Sequence, residues 1–201
     1  MIASKHLQIW LIMLLLAGCS GLDQRESAAT SWQAHNEHLK LLQRWTANGK
    51  MAVRTENASE SASLIWQQDN QNTYVQLSGP LGIGATTIHS DGQTLEIHQG
   101  DEHRTIDISN PDAIVLNTGW DLPLQALSYW LKGVPAPASK VQRLELDPET
   151  ELLISLWQDD WEVNYQRYEQ FQGFTLPARL QIQRGETRAK IIISDWQTSP
   201  K

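Results

Sequence analysis

Apolar residues along this chain recur with two different periods, and the switches between those periods divide it into elements. Trp32, His35, Leu39 and Leu42 fall at i, i+3, i+7 and i+10, one face of a predicted helix. Thr30 and Gln33 are spaced as a capping box that would open it. It would end near Trp45, before the turn or strand-entry signal Asn48-Gly49. From Gly49 the period drops to two. Met51/Val53, Leu64/Trp66, Val75/Leu77, Leu95/Ile97 and Ile106/Ile108 alternate with polar residues such as Arg54, Gln67, Gln76, Glu96 and Asp107. Short polar breaks at 57–61, 69–72, 91–92 and 100–101 predict hairpins between antiparallel strands that are apolar on one face only.

The pattern turns helical again after residue 108. Ser109 or Asn110 as cap, Pro111 in the first turn and the apolar run Ile114 to Leu116 predict one helix. A further helix opens around Asp121-Leu122-Pro123, carries Leu124, Leu127 and Leu131 on one face, and is stopped by Gly133 and Pro135. Alternation resumes at Val141, through Leu144/Leu146, Leu152/Ile154/Leu156, Trp161/Val163/Tyr165, Leu180/Ile182 and Ala189/Ile191/Ile193. Asp159-Asp160 and Arg184-Gly185-Glu186 mark tight turns. The whole amounts to about eleven strands and three helices, without internal repeats or low-complexity segments.

A twisted antiparallel sheet of that size curls instead of staying flat. The expected fold is therefore mainly β with α: an incomplete, half-open antiparallel barrel whose three helices bury their apolar faces over its mouth. Larger barrels enclose a cavity. The alternation alone leaves open whether the interior here is a hydrophobic cavity or a packed core. The inward register puts Leu95, Ile97, Leu180 and Ile182 on that interior, opposite Glu96, Gln181 and Gln183.

Composition narrows the setting. Residues 1–18 contain Lys5 and an apolar run from Trp10 to Leu16, too short for a permanent bilayer span, ending in Ala17-Gly18. Cys19, the single cysteine, follows. That order resembles the lipobox of bacterial lipoproteins, although the residues also fit a plain secretory signal or an uncleaved anchor. The resemblance implies a leader of residues 1–18, a Cys19 that carries N-acyl and S-diacylglycerol chains, and, with Ser20 behind it, export to the outer membrane. Residues 19–30, polar and aperiodic from Ser20 to Ala29, are expected to be a flexible tether, and residues 31–201 the functional domain. Losing the leader removes Lys5 and no acid, which leaves a net charge of −8 in place of −7. A surface that tracks nucleic-acid phosphates is not expected from such a balance. With Cys19 consumed by lipid, neither an intramolecular disulfide nor a cysteine-based metal site is expected. Nine Trp against two Phe point to broad apolar faces to be covered.

No catalytic constellation stands out, and neither a catalytic residue, a metal nor a soluble cofactor is expected. His35 and His38 stand at i, i+3 with Glu37 between them, but no third ligand follows at suitable spacing. His89, His98 and His103 read as solvated sheet positions. There is no Gly-x-Ser-x-Gly elbow, and Gly79, Gly82 and Gly84 lead into a strand instead of the helix that a dinucleotide fingerprint requires. Those glycines, with Pro80, make a protruding loop that carries Leu81 and Ile83. Both aliphatic residues could instead fold back into the barrel mouth.

Trp32-x-x-His35-x-x-x-Leu39, Gly49-Lys50-Met51-Ala52-Val53, Trp66-Gln67-Gln68, Pro80-Leu81-Gly82 and Leu122-Pro123-Leu124 come in order behind the lipobox. Trp130-Leu131-x-Gly133-x-Pro135, Trp161-x-Val163-x-Tyr165, Leu176-Pro177 and Trp196 complete the series. Together they resemble the LolB family of outer-membrane lipoprotein receptors, nearly end to end. The resemblance implies a monomeric receptor, lipid-anchored on the periplasmic side of the outer membrane. Its partners would be a LolA-like periplasmic carrier, acylated lipoprotein cargo and outer-membrane lipid. It also implies that Leu81, with Ile83 beside it, touches the membrane, and that the acyl chains are sheltered by an interior lined by Leu95, Ile97, Leu180 and Ile182. Two other readings remain at this stage: a lipid-anchored structural or assembly protein with a packed core, and a carrier of lipid or lipopolysaccharide.

Overall fold

The structure is a computed structural model that describes residues 23–80, 84–108 and 122–199. Helix α1 (Asp23–Lys40) leads into six strands: β1 (Arg44–Arg54), β2 (Ser59–Asp69), β3 (Asn72–Ser78), β4 (Thr86–Ser90), β5 (Thr94–Gln99) and β6 (Glu102–Asp107). Helix α2 (Leu124–Trp130) precedes the other five: β7 (Val141–Leu146), β8 (Leu153–Gln158), β9 (Trp161–Phe171), β10 (Phe174–Arg184) and β11 (Thr187–Ser199). Each group is an antiparallel meander, and pairing of β1 with β11 fuses the two into one sheet. The strand order is β6-β5-β4-β3-β2-β1-β11-β10-β9-β8-β7, so β6 and β7 are its two edges and the barrel is open.

Local chemistry accounts for the hairpins. Asp159 and Asp160, with φ of 51° and 62°, form the two-residue turn between β8 and β9, the left-handed geometry whose twist matches that of the flanking strands. The seam between the meanders depends on Gly49. The β1–β11 register slips between Asn48 and Gly49, and a Cβ on Gly49 would collide with the Ile192 carbonyl oxygen. The extra residue is Ser194, so β11 carries a bulge opposite Asn48-Gly49, and that pair lies inside β1 and not in a turn before it.

Other boundaries differ from the sequence expectation as well. Helix α1 begins at Asp23, so Thr30 and Gln33 lie inside it and the stretch expected as a tether is helical from Asp23 onward. Gln24, Arg25, Glu26 and the Ala28-Ala29 pair are good helix formers, which a reading based only on apolar periodicity overlooks. The helix stops at Lys40, where Leu41 and Leu42 close tight turns on His38 and Leu39. Trp45 consequently belongs to β1, where its ring packs between Trp66 and Trp196. On β8 the buried residues are Leu153, Leu156 and Gln158, while Ile154, expected to point inward, is 37% exposed. An irregularity in pairing between Glu145 and Leu146 shifts the alternation there. Two helices are described; the helix expected around Pro111 to Leu116 lies outside the described residues.

A single apolar cluster runs across the inner face. It takes Trp32 and Leu39 from α1, Leu42 from the turn after it, Leu127 and Trp130 from α2, and residues of both meanders. The nine tryptophans thus have a structural explanation in part: Trp45, Trp66, Trp130, Trp161 and Trp196 are all almost fully buried in it.

Candidate functional site

Cross-strand rows show how the inner face is assembled. One row runs Trp196, Ala47, Trp66, Val75, Ile88 and Ile97 across β11, β1, β2, β3, β4 and β5. Another runs Tyr165, Leu180, Ile191, Met51 and Ala62 across β9, β10, β11, β1 and β2. Period-two alternation keeps every member of a row on one side, so the face is apolar across the whole width of the sheet. Leu95 and Ile97 lie on β5 and Leu180 and Ile182 on β10, near opposite edges but on this common face. Leu95, Leu180 and Ile182 are fully buried, and Ile97 is half-buried against the same cluster.

Cover is uneven. Helix α2 is held over β8 and β9 by polar anchors. Trp130 donates its indole N–H to Gln158 Oε1 at 2.9 Å, and Tyr165 donates its hydroxyl to the Trp130 carbonyl at 3.1 Å. Burial pushes the Tyr165 and Tyr168 phenols above their ordinary pKa, so both stay neutral donors. Helix α1 lies at the opposite end of β1 and β10, where His38 stacks on Phe174 with ring centroids 4.6 Å apart. Lys132, buried beyond the end of α2, donates to the Leu42 carbonyl at 3.2 Å and so ties the two helical segments together. Desolvation lowers its pKa from 10.5 to about 8. His35 is also held below its ordinary pKa, by burial first and by His38 second, and its Nε2 has no hydrogen-bond partner among the described residues.

Elsewhere the face is only partly covered, beyond Gly49 on β1 and β2 and on β5 next to the β6 edge. Met51 and Val53 on β1, Ala62 on β2 and Ile97 on β5 belong to apolar rows yet remain half-buried. Ala62 precedes Ser63, which pairs with Ser78, the last residue of β3. The loop carrying Leu81 and Ile83 therefore starts at the same end of the sheet as Met51, Val53 and Ala62. Leu81 and Ile83 themselves, like Cys19, lie outside the described residues.

Sequence reasoning missed the anchors. Gln158 is a buried amide in an otherwise apolar alternation and Lys132 a buried cation in a loop, and nothing local distinguishes either from a surface residue. Among the described residues no group of three or more metal-ligating side chains occurs. His98 and His103 are exposed sheet positions, as expected, and they also face each other directly, with ring nitrogens 3.0–3.1 Å apart.

Residues 43–196 match the family model described as "Outer membrane lipoprotein LolB". The chain belongs to the LolB family. A curated relative named outer-membrane lipoprotein LolB from Stutzerimonas stutzeri is 35% identical over 96% of this chain and 95% of its own. The relative of the same name from Pseudomonas putida is 36% identical over 96% of both chains. Among solved structures, a LolA superfamily protein from Nitrosomonas europaea shares the fold, with a TM-score of 0.52 and 10% identity over 84% of this chain and 94% of that one. A DUF1329 family protein from Desulfovibrio piger gives a TM-score of 0.55 and 10% identity, covering 86% and 93%. Membership in the LolB family makes this chain an outer-membrane lipoprotein receptor in lipoprotein localisation, lipid-anchored and facing the periplasm. The packed-core assembly protein is not favoured.

Proposed function

We propose that the half-covered parts of the inner face, at Met51, Val53, Ala62 and Ile97, are where acyl chains of lipoprotein cargo enter and are sheltered. The chains would arrive from a LolA-like periplasmic carrier and leave for outer-membrane lipid. The observation that carries this reading is the contrast within single rows, where Met51 and Ile97 stay half-buried beside Ile191 and Ile88, which are almost fully buried. Leu180, Ile182 and Leu95 continue the apolar surface inward. Each methylene kept from water contributes about 0.8 kcal/mol, so acyl chains need such a shelter to cross the periplasm. Binding and release alone suffice for this work, without a catalytic residue or soluble cofactor.

Four further assignments follow from the same reading. Residues 1–18 are the leader, Cys19 carries the acyl chains that anchor the mature protein, and the domain from residue 31 handles cargo. Leu81, with Ile83, contacts the bilayer during release, since its loop starts at the same end of the sheet as Met51, Val53 and Ala62. Burying one Leu gives roughly 1.5–3 kcal/mol, enough to bias loop–membrane contact and too little to anchor the protein.

A two-step transfer assay tests the proposal. Leu81→Glu should accept lipoprotein from the carrier normally and deliver it poorly to liposomes, so that loaded receptor accumulates. Cys19→Ala should accept cargo as a soluble protein. Normal delivery by Leu81→Glu, or failed acceptance by folded Cys19→Ala, would reject the corresponding assignment.

A further inference from the structure

Away from the apolar face, the hairpin tips around residues 69–72 and 90–94 and the start of β1 border a cleft of about 830 Å³. Its wall follows one cross-strand row on the outer side of the sheet. Gln197 faces Thr46, Thr46 faces Gln67, Gln67 faces Tyr74, Tyr74 faces His89 and His89 faces Glu96, stepping from β11 through β1, β2, β3 and β4 to β5. All six line the cleft. Their chain neighbours Trp196, Trp45, Trp66, Val75, Ile88 and Leu95 are buried in the core, which sets the row on the opposite face.

The row offers two amides, a hydroxyl, a phenol, an imidazole and a carboxylate. The Tyr74 and His89 rings meet edge-on with centroids 4.6 Å apart. Glu96 is exposed and has no partner among the described residues. By contrast, Asp91 is occupied within its own turn, accepting from the Gln93 and Thr94 amides and the Thr94 hydroxyl. A lining this polar does not suit acyl chains, whose burial there would displace water from unpaired polar groups. Arg44 is set against Asp69, Asp91 and Glu96, a balance that disfavours phosphate-bearing headgroups. A neutral ligand rich in hydroxyl and amide groups remains.

Spacing separates the two polymers of that kind. Neighbouring strands lie about 4.8 Å apart, so the row presents a polar group at about that interval over roughly 24 Å. An extended peptide advances about 3.3–3.4 Å per residue and falls out of step with it. A β-linked pyranose chain advances by close to the strand spacing per sugar. We propose that this cleft binds an uncharged β-linked oligosaccharide, with successive sugars in step with successive strands and the Tyr74–His89 rings against a sugar face.

The test uses the full chain in lipid nanodiscs, with N-acetylglucosamine tetramer as the soluble probe and purified peptidoglycan sacculi as the polymeric one. Titrating the tetramer should shift the Gln67 and Gln197 side-chain amide resonances saturably. Tyr74→Ala and Glu96→Gln should each weaken binding ten-fold or more while acceptance of lipoprotein is unchanged. Glu96 is exposed, so its variant decides the matter should Tyr74→Ala fail to fold. Co-sedimentation with sacculi, lost in the same variants, would identify a glycan mesh as the source; saturable tetramer binding without it would identify a soluble saccharide. The proposal is overturned by the absence of saturable shifts with the tetramer, by equal binding in Glu96→Gln, or by an uncharged peptide that saturates these resonances when the tetramer does not.

Discussion

The indole N–H of Trp130 donates to Oε1 of Gln158 at 2.9 Å, and both residues are fully buried. Gln158 Oε1 also accepts from the Ala136 amide, and its Nε2 donates to the carbonyls of Ala136 and Ser139. One amide thus satisfies four polar groups and fixes the segment after α2 to the end of β8. Without it the helix would cover the sheet only through apolar contact, which has no preferred direction.

Gln158→Leu should therefore destabilise the protein by about 3–5 kcal/mol, since it strands several buried donors and acceptors at about 1–3 kcal/mol each. Urea denaturation measures the loss. A change below about 1 kcal/mol would mean that water replaces the amide and that α2 is not held in the way described.

Lys132 makes stability depend on alkaline pH. Its pKa is about 8 in the fold against 10.5 ordinarily, so between those values the unfolded chain binds more protons. The desolvation cost is present in full below about pH 8 and is relieved as pH rises to 10.5. Stability should rise across that window relative to Lys132→Met, by at most about 3 kcal/mol. Thermal melts of both proteins from pH 7 to 10.5 would show it, and identical profiles would exclude a buried ammonium.

Gly49→Ala should open the seam between the meanders, because the added methyl meets the Ile192 carbonyl on β11. Backbone on both sides leaves little room to yield, and a cost of about 3 kcal/mol or more is expected. Amide exchange in β1 and β11 should accelerate ahead of that in β3 to β5. Uniform acceleration would mean that the seam does not open on its own.

Single charges on the inner face should separate packing from binding. Ile182 is fully buried on β10, so Ile182→Asp should unfold the protein whatever its effect on cargo. Ile97 is half-buried on β5 beside the β6 edge, so Ile97→Asp should keep most of the unfolding temperature and lose acyl-chain uptake by at least ten-fold. Normal uptake by folded Ile97→Asp would remove that part of the face from the proposed entry route.

The chain by itself determined about how many strands there are, their hairpins and, except on β8, their inward register, because alternation at period two and turn residues such as Asp159-Asp160 act over a few neighbours. It also placed Leu95, Ile97, Leu180 and Ile182 on one face, and marked Leu81 and Ile83 as an unusual aliphatic pair between Pro and Gly. Tertiary structure decided what depends on partners far along the chain. Gly49 reads as a turn until Ile192 lies against it, and Trp45 reads as the end of a helix until Trp66 and Trp196 enclose its ring. Gln158 and Lys132 look like surface residues until Trp130, Ala136 and the Leu42 carbonyl surround them. Whether an inward residue is sealed, as Ile182 is, or left half-covered, as Ile97 is, follows from which helix or strand packs over it. No local period encodes that, because burial belongs to the contact between elements and not to either element alone.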